Sequence, residues 1–242
     1  MKNLYLHTKQ RSLKLTRLFI SVTLLSILLL RALPAQAAIT ATTFANRVAF
    51  NVNGGPTSVV NSDIDGDGKM DLVTTNYGSV AGIGNTLSVL RNTSSSGLVA
   101  FAAKVDFTAT SGPHELAIRD IDGDGKPDVV VSNFDAYASG ISISVFRNMS
   151  TVGTIAFAPK IDFTVNKGPM GIDLGDIDGD GKADVVVTQF NDGVGTIVSV
   201  LRNTSTVGNV TFAPKADFTV GAGPYGVKIG DLDGDGKPEL VV

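Results

Sequence analysis

The chain of 242 residues contains no cysteine, so no disulfide can staple it. It contains two histidines, His7 and His114. A Ser–His–Asp arrangement beyond the N-terminal segment would have to use His114, whose neighbours Pro113 and Glu115 form no catalytic motif. No basic stripe runs along the chain to follow a nucleic-acid backbone. No stretch beyond the first 37 residues repeats with the helical period. These shortages exclude a disulfide scaffold, a nucleic-acid partner and an α-helical domain, and they leave little for an enzyme to work with.

The N-terminal segment is of another kind. Residues 1–17 carry Lys2, Lys9, Arg11, Lys14 and Arg17 without an acid, Leu18–Leu30 is apolar, and Ala35-Gln36-Ala37 has the small-x-small form of a cleavage site. That order marks 1–37 as a secretory signal peptide. Its 13 apolar residues fall short of the roughly 20 that a membrane span needs, which favours cleavage over the alternative, an uncleaved N-terminal anchor. The expectation is a secreted protein (extracellular, at the cell surface or in the periplasm) with no membrane span after cleavage. The mature 205 residues hold 14 basic and 23 acidic side chains, a balance of −9.

Beyond a short leader at 38–43, the chain repeats itself. Phe-Ala occurs at Phe44, Phe101, Phe157 and Phe212. Eleven residues after each phenylalanine comes Gly-Pro, and nineteen after it an acidic phrase opens, at Asp63, Asp120, Asp176 and Asp231. Arg91-Asn92, Arg147-Asn148 and Arg202-Asn203 each stand ten residues before the next phenylalanine. The units are 44–100, 101–156, 157–211 and a shorter 212–242. Within the second, FAAKVDFT (Phe101–Thr108), LAIRD (Leu116–Asp120), DVVVSN (Asp128–Asn133) and ISISVFRN (Ile141–Asn148) are β-branched runs bounded by turn residues. Four short strands per ~56 residues predict an all-β fold, a β-propeller of four-stranded antiparallel blades. A β-solenoid is the competitor, with shorter coils and fewer Gly-Pro turns.

The phrase D-I-D-G-D-G-K-P-D (Asp120–Asp128) has the make-up of a cation loop. Hard cations such as Ca²⁺ take six to eight oxygens. Asp120, Asp122 and Asp124 at positions 1, 3 and 5 can converge, the Lys126 carbonyl at position 7 can add a ligand, and Asp128 at position 9 can close the set. The equivalents are Asp63, Asp65, Asp67, Lys69 and Asp71; Asp176, Asp178, Asp180, Lys182 and Asp184; and Asp231, Asp233, Asp235, Lys237 and Glu239, one methylene longer. An EF-hand needs a bidentate Glu at position 12, where this chain has Thr74, Val131, Val187 and Val242, each in a strand run. The alternative is a solvated acidic turn without metal, which crowds four carboxylates together against their repulsion. Four calcium ions would bring the mature charge from −9 to about −1, so the acidity implies no basic partner.

The Phe-Ala landmark, the Gly-Pro turn and the DxDGDGKxD loop running into valines resemble the FG-GAP/VCBS-type calcium-binding repeat, which includes integrin α-subunit propellers and many secreted bacterial proteins. The resemblance covers 44–242. Alanine stands where the family has glycine after phenylalanine, and its Gly-Ala-Pro reads Thr75-Asn76, Ser132-Asn133 or Thr188-Gln189, nearer the bacterial branch. The resemblance implies a propeller of commonly seven blades, with roles in adhesion, carbohydrate contact or support of enzymes. It also implies that the strand after each Phe-Ala is the outer strand of the preceding blade. This chain then makes about three and a half blades, a partial ring. Residues 53–220 give three blades, and Phe44–Val52 is a candidate outer strand for the unfinished fourth. Further blades from additional sequence or a partner chain would complete the ring.

In this phasing the acidic hairpins share one rim, and the Gly-Pro turns and the loops after the second strands share the other. The second rim offers Tyr77, His114, Phe134, Asp135, Tyr137, Phe190, Asp192 and Tyr225, with Glu115 and Met170 beside them. Aromatics beside Asn and Asp suit an extracellular glycan or protein ligand; ordinary loop residues folded onto blade edges are the plainer alternative. The reading is a non-enzymic adhesion or binding module, the competing one a fragment of a calcium-dependent polysaccharide-acting enzyme. The sequons at Asn92, Asn148, Asn203 and Asn209 read as turn residues.

Overall fold

The computed structural model describes residues 47–79, 82–135 and 140–242. The signal segment 1–37, the leader 38–43 and Tyr137 lie outside the described residues. Among the described residues no helix is long and apolar enough to cross a membrane.

Among the described residues fourteen strands form four antiparallel sheets. The first holds β1 (Pro56–Ser62), β2 (Asp71–Ser79), β3 (Gly82–Leu90) and β4 (Val105–Thr108) in sequential order. The second holds β5 (Pro113–Arg119), β6 (Asp128–Asn133), β7 (Ser142–Phe146) and β8 (Ile161–Thr164). The third holds β9 (Pro169–Gly175), β10 (Asp184–Gln189), β11 (Ile197–Leu201) and β12 (Ala216–Thr219), and the fourth is the pair β13 (Lys228–Gly230) and β14 (Glu239–Val241). These are propeller-type blades in a ring that is not closed. The outer strand of each full blade does come from the following unit, β4, β8 and β12 lying after Phe101, Phe157 and Phe212.

The blades stack face to face, and the core lies between them. Val73, Leu87 and Val89 of the first sheet meet Leu116, Val129 and Val131 of the second. Val130, Ile143 and Val145 meet Ile172, Val185 and Val187 of the third. β6 and β10 are buried along their whole length, which is why DVVV runs without polar alternation: both faces are covered. Polar clamps repeat between blades. Thr75, Ser132 and Thr188 donate their hydroxyls to the carbonyls of His114 (2.7 Å), Met170 (2.6 Å) and Tyr225 (3.1 Å) in the next unit. The hydroxyl position that departs from the family pattern is thus an inter-blade tie.

Two expectations need correction. The run after Phe101, Phe157 and Phe212 is a strand only in its second half: the three phenylalanines make single bridges to Asn92, Asn148 and Asn203, and in two copies Pro159 and Pro214 interrupt the ladder by lacking an N–H. Nor does the N-terminal stretch complete the fourth sheet. Arg47–Val52 is not a strand, and β14 pairs only with β13. Phe50 instead meets the Phe101 ring edge-on at 4.8 Å, as Phe107 meets Phe157 and Phe163 meets Phe212. Phe50 is the repeat equivalent of Phe107, so its place is beside the first blade.

Within each blade Ser88, Ser144 or Ser199 donates to Asp106, Asp162 or Asp217, which also binds Lys104, Lys160 or Lys215. Burial works to raise these carboxyls, but the lysine and serine bonds outweigh it and hold them below the usual range. Their contribution to stability is present above the ordinary carboxylate range and lost only below it.

Candidate metal centres and binding face

Each acidic phrase closes the hairpin between the first two strands of a blade. Its two glycines take positive φ, +79° at Gly123 and +86° at Gly125, a backbone path that side chains rarely follow. The position-1 aspartate caps the loop from within: Asp120 accepts from Gly123 N (2.8 Å) and Gly125 N (2.8 Å). The position-3 aspartate Asp122 accepts from Asp124 N (3.1 Å), and Asp124 from Lys126 N (2.9 Å). The position-9 aspartate binds two distant parts of its blade, Asp128 accepting from Ile121 N (2.9 Å) and Asn148 N (2.7 Å). Asp71 does the same with Ile64 N and Asn92 N, and Asp184 with Ile177 N and Asn203 N. Glu239 makes the first of these bonds, from Leu232 N at 2.7 Å.

This wiring gathers carboxylates. Within each of the groups Asp63–Asp65–Asp71, Asp120–Asp122–Asp128, Asp176–Asp178–Asp184 and Asp231–Asp233–Glu239, one oxygen per residue lies within 4.8 Å of the others. The position-5 aspartates Asp67, Asp124, Asp180 and Asp235 stand outside these groups. Arg91 and Arg202 come within 3.9 Å of the position-3 and position-5 carboxylates of their loops, and Arg147 within 3.9 Å of Asp122. The lysines at position 7 have a use beyond their carbonyls: Lys126 and Lys182 donate Nζ to the carbonyls of Ser150 and Ser205, both at 2.9 Å. A donor set made only of oxygens, mostly anionic, suits a hard divalent cation.

Burial grades the loops. Asp65 and Asp122 are buried, whereas Asp178 and Asp233 are exposed. Asp128 is 0 % exposed, and burial pushes its carboxyl up to about 6; the Asp122 and Asp124 charges add to the rise, and its two N–H bonds oppose it. Asp71 and Asp184 are raised for the same reason. The unfolded group titrates near 3.8. Between about pH 4 and 6 the folded, metal-free protein therefore holds a proton that the unfolded chain has released, and stability falls as pH rises through this window, by on the order of 3 kcal/mol. Urea unfolding in EDTA at about pH 4.5 and 7.5 checks this. Greater resistance at the higher pH would show that burial does not control the group.

Because the first and second strands run antiparallel, the Gly-Pro turns lie at the end of each blade opposite the acidic hairpins. The glycine of each of the first three turns accepts the N–H of an aromatic residue at or just past the end of the second strand: Gly55 from Tyr77, Gly112 from Phe134 and Gly168 from Phe190, all at 2.9 Å. A Cβ on Gly112 would lie 2.3 Å from Asp135 N, so glycine is required for this approach. The turns thereby bring aromatic side chains from all four units together. The His114 ring lies 6.0 Å from Tyr77, 5.8 Å from Phe134 and 6.3 Å from Tyr225, and Phe190 lies 6.3 Å from Phe134 and 5.6 Å from Tyr225. Met170 is buried against Phe134, Tyr77 and Phe190. Tyr225 is 59 % exposed.

Carboxylates edge this cluster. Tyr77 donates its hydroxyl to the Asp135 carbonyl (3.2 Å), and burial, together with the Asp135 and Asp192 charges, raises its pKa. Asp135 and Asp192 both hold positive φ, 59° and 55°, a strained conformation of the kind that gathers at functional sites. Burial lowers the His114 pKa and raises that of Glu115. A cavity of about 260 Å³ lies against Thr57, Ser58, His114, Glu115, Tyr225 and Gly226. Of the residues expected on this rim, the structure joins Tyr77, His114, Phe134, Phe190 and Tyr225 and sets Asp135 and Asp192 at their edge.

Sequence reading missed the job of the Asn-x-Ser/Thr triplets. Asn148 and Asn203 are buried, donate Nδ2 to Pro127 O (3.0 Å) and Ala183 O (2.9 Å), and accept from Ser150 N and Ser205 N (both 2.8 Å). The fixed offset from the acidic phrase was the available signal. These residues sit in isolated bridges to Phe157 and Phe212 rather than in turns, and their side chains are committed within the fold.

No curated protein matches the chain. The family model for the FG-GAP-like repeat matches residues 63–131, 135–187 and 176–242. Those spans cover most of the chain; the first and last each run from one acidic hairpin through the next, and the middle one ends on the third hairpin and the strand that follows it. The chain belongs to the FG-GAP-like repeat family.

Proposed function

We propose that this is an exported, calcium-stapled blade module that binds an extracellular glycan without turning it over. Calcium sits in the acidic hairpins, held by the position-1, -3 and -9 carboxylates with carbonyl help from position 7, and its role there is structural. The binding face is the opposite rim. The observation that carries this reading is the convergence of Tyr77, His114, Phe134, Phe190 and Tyr225, drawn from four separate repeats, onto one patch edged by Asp135 and Asp192. Aromatic faces stack on the apolar faces of sugars, and carboxylates and carbonyls accept from sugar hydroxyls. The FG-GAP-like repeat and the signal-type segment at 1–37 both fit an exported protein.

The second reading, a fragment of a polysaccharide-acting enzyme, draws on Glu115, whose raised pKa and place beside the 260 Å³ cavity are those of a general acid. Its neighbour His114, which lines the same cavity, has Nδ1 buried without a hydrogen-bond partner among the described residues. Binding of a glycan array followed by calorimetry separates the two. The exposed Tyr225 is the ring to remove: Tyr225→Ala weakens the best ligand by roughly tenfold or more and leaves the calcium response intact. Product release from the same glycans would favour the enzyme, and an unchanged affinity would move the site off this face.

A further inference from the structure

The loops proposed to hold calcium are held from outside as well as from within, and the outside hold comes from the following repeat. Asp65 points one oxygen, Oδ1, at its own loop, accepting from Asp67 N (3.1 Å). Its other oxygen, Oδ2, accepts from Gly153 N (2.8 Å), 88 residues further on, in the turn that follows the third strand of the second blade. Asn148, beside that turn, donates Nδ2 to Ile64 O (2.9 Å), the residue between the first two aspartates. The arrangement recurs one blade later: Gly208 N bonds Asp122 Oδ2 (2.8 Å) and Asn203 Nδ2 bonds Ile121 O (2.9 Å). At the third and fourth loops Asp178 and Asp233 have no such bond among the described residues, and both are exposed.

From this geometry we infer that each following turn is a positioning element for the preceding calcium site, and that metal binding in one repeat is coupled to docking of the next. The inference rests on the calcium reading above. A position-3 carboxylate whose outer oxygen is already fixed has its rotamer chosen before the ion arrives, so binding orders less of the loop. The reverse also holds by linkage: an ion that holds the inner oxygen tightens the same side chain's grip on the next blade. The first two sites are therefore preorganised and fill at lower calcium than the last two. Calcium acts as a rivet between neighbouring blades, with a polarity that runs along the chain.

Amide NMR of the full mature chain reads every site separately. Gly68, Gly125, Gly181 and Gly236 each donate their N–H to the position-1 aspartate of their own loop, so their shifts report occupancy. In a calcium titration, Gly68 and Gly125 move at lower metal concentration than Gly181 and Gly236. Hydrogen exchange at Gly153 slows by roughly tenfold, within the usual range for coupled sites, and does so in step with Gly68 of the first repeat rather than Gly125 of its own. Asp63→Ala, which removes a ligand that makes neither bond of the clasp and accepts only from amides of its own loop, abolishes the effect at Gly153 and spares Gly208. Loop glycines that shift while Gly153 stays unchanged, or follows Gly125, would overturn the coupling and leave the calcium sites standing. Loop glycines that ignore calcium would overturn the metal reading, and the coupling with it.

Discussion

Calcium raises the melting temperature of the mature chain by about 10–20 °C over the same protein in EDTA. Three carboxylate oxygens within 4.8 Å of one another repel by a few kcal/mol per pair where the effective dielectric is about 20, and a divalent ion converts that repulsion into attraction. An ion present at a hundredfold excess over its Kd stabilises the folded state by about 2.7 kcal/mol per site. The two buried sites alone then supply about 5 kcal/mol, and a domain of this length gains 2–4 °C per kcal/mol. The weaker third and fourth sites add less. Thermal melts by circular dichroism in EDTA, in millimolar calcium and in millimolar magnesium test the prediction, with calorimetry counting the ions. Coincident melts in calcium and EDTA would leave four acidic hairpins with no metal to justify them.

The second large effect separates two aspartates that look alike in the phrase. Asp128→Ala destabilises the protein by about 3–5 kcal/mol even in EDTA, whereas Asp120→Asn costs little there and is felt only as lost calcium binding. Asp128 is fully buried, and its two oxygens are the partners of Ile121 N and Asn148 N. Its removal leaves two buried amides unsatisfied and a void beside them. Asp120 caps exposed loop amides, which water can satisfy. Chemical denaturation of both variants with and without calcium gives four stabilities. Equal losses in EDTA would mean that position 9 is only a metal ligand and that the blade does not hang on it.

The repeats made the fold legible. Fixed offsets between Phe-Ala, Gly-Pro, the acidic phrase and Arg-Asn placed every hairpin, and DVVVSN was read as a strand with both observed ends, Asp128 and Asn133. The rim residues were legible as a face because turn chemistry fixes which strand ends share an end of the blade. What escaped is non-local. No local pattern says that a Gly153 amide reaches Asp65, or that Asn148 reaches Ile64 across 84 residues. The place of Phe50 beside Phe101 was equally hidden, because a strand-like run does not say which neighbour it joins. Nor does spacing say that the position-5 carboxylate accepts the amide at position 7, as the position-3 carboxylate accepts that at position 5.

The borrowing of each outer strand from the following unit has a consequence for how such a gene can change length. Since β4, β8 and β12 lie in the next ~56-residue period, the covalent period and the folded blade are out of phase. Excising or duplicating one period between any two equivalent positions rejoins Phe-Ala to Gly-Pro at the usual offset and leaves every interior seam intact, wherever the break falls. A break at a period boundary therefore divides a blade, whereas removal of one whole period between equivalent positions keeps the outer strand of each remaining interior blade.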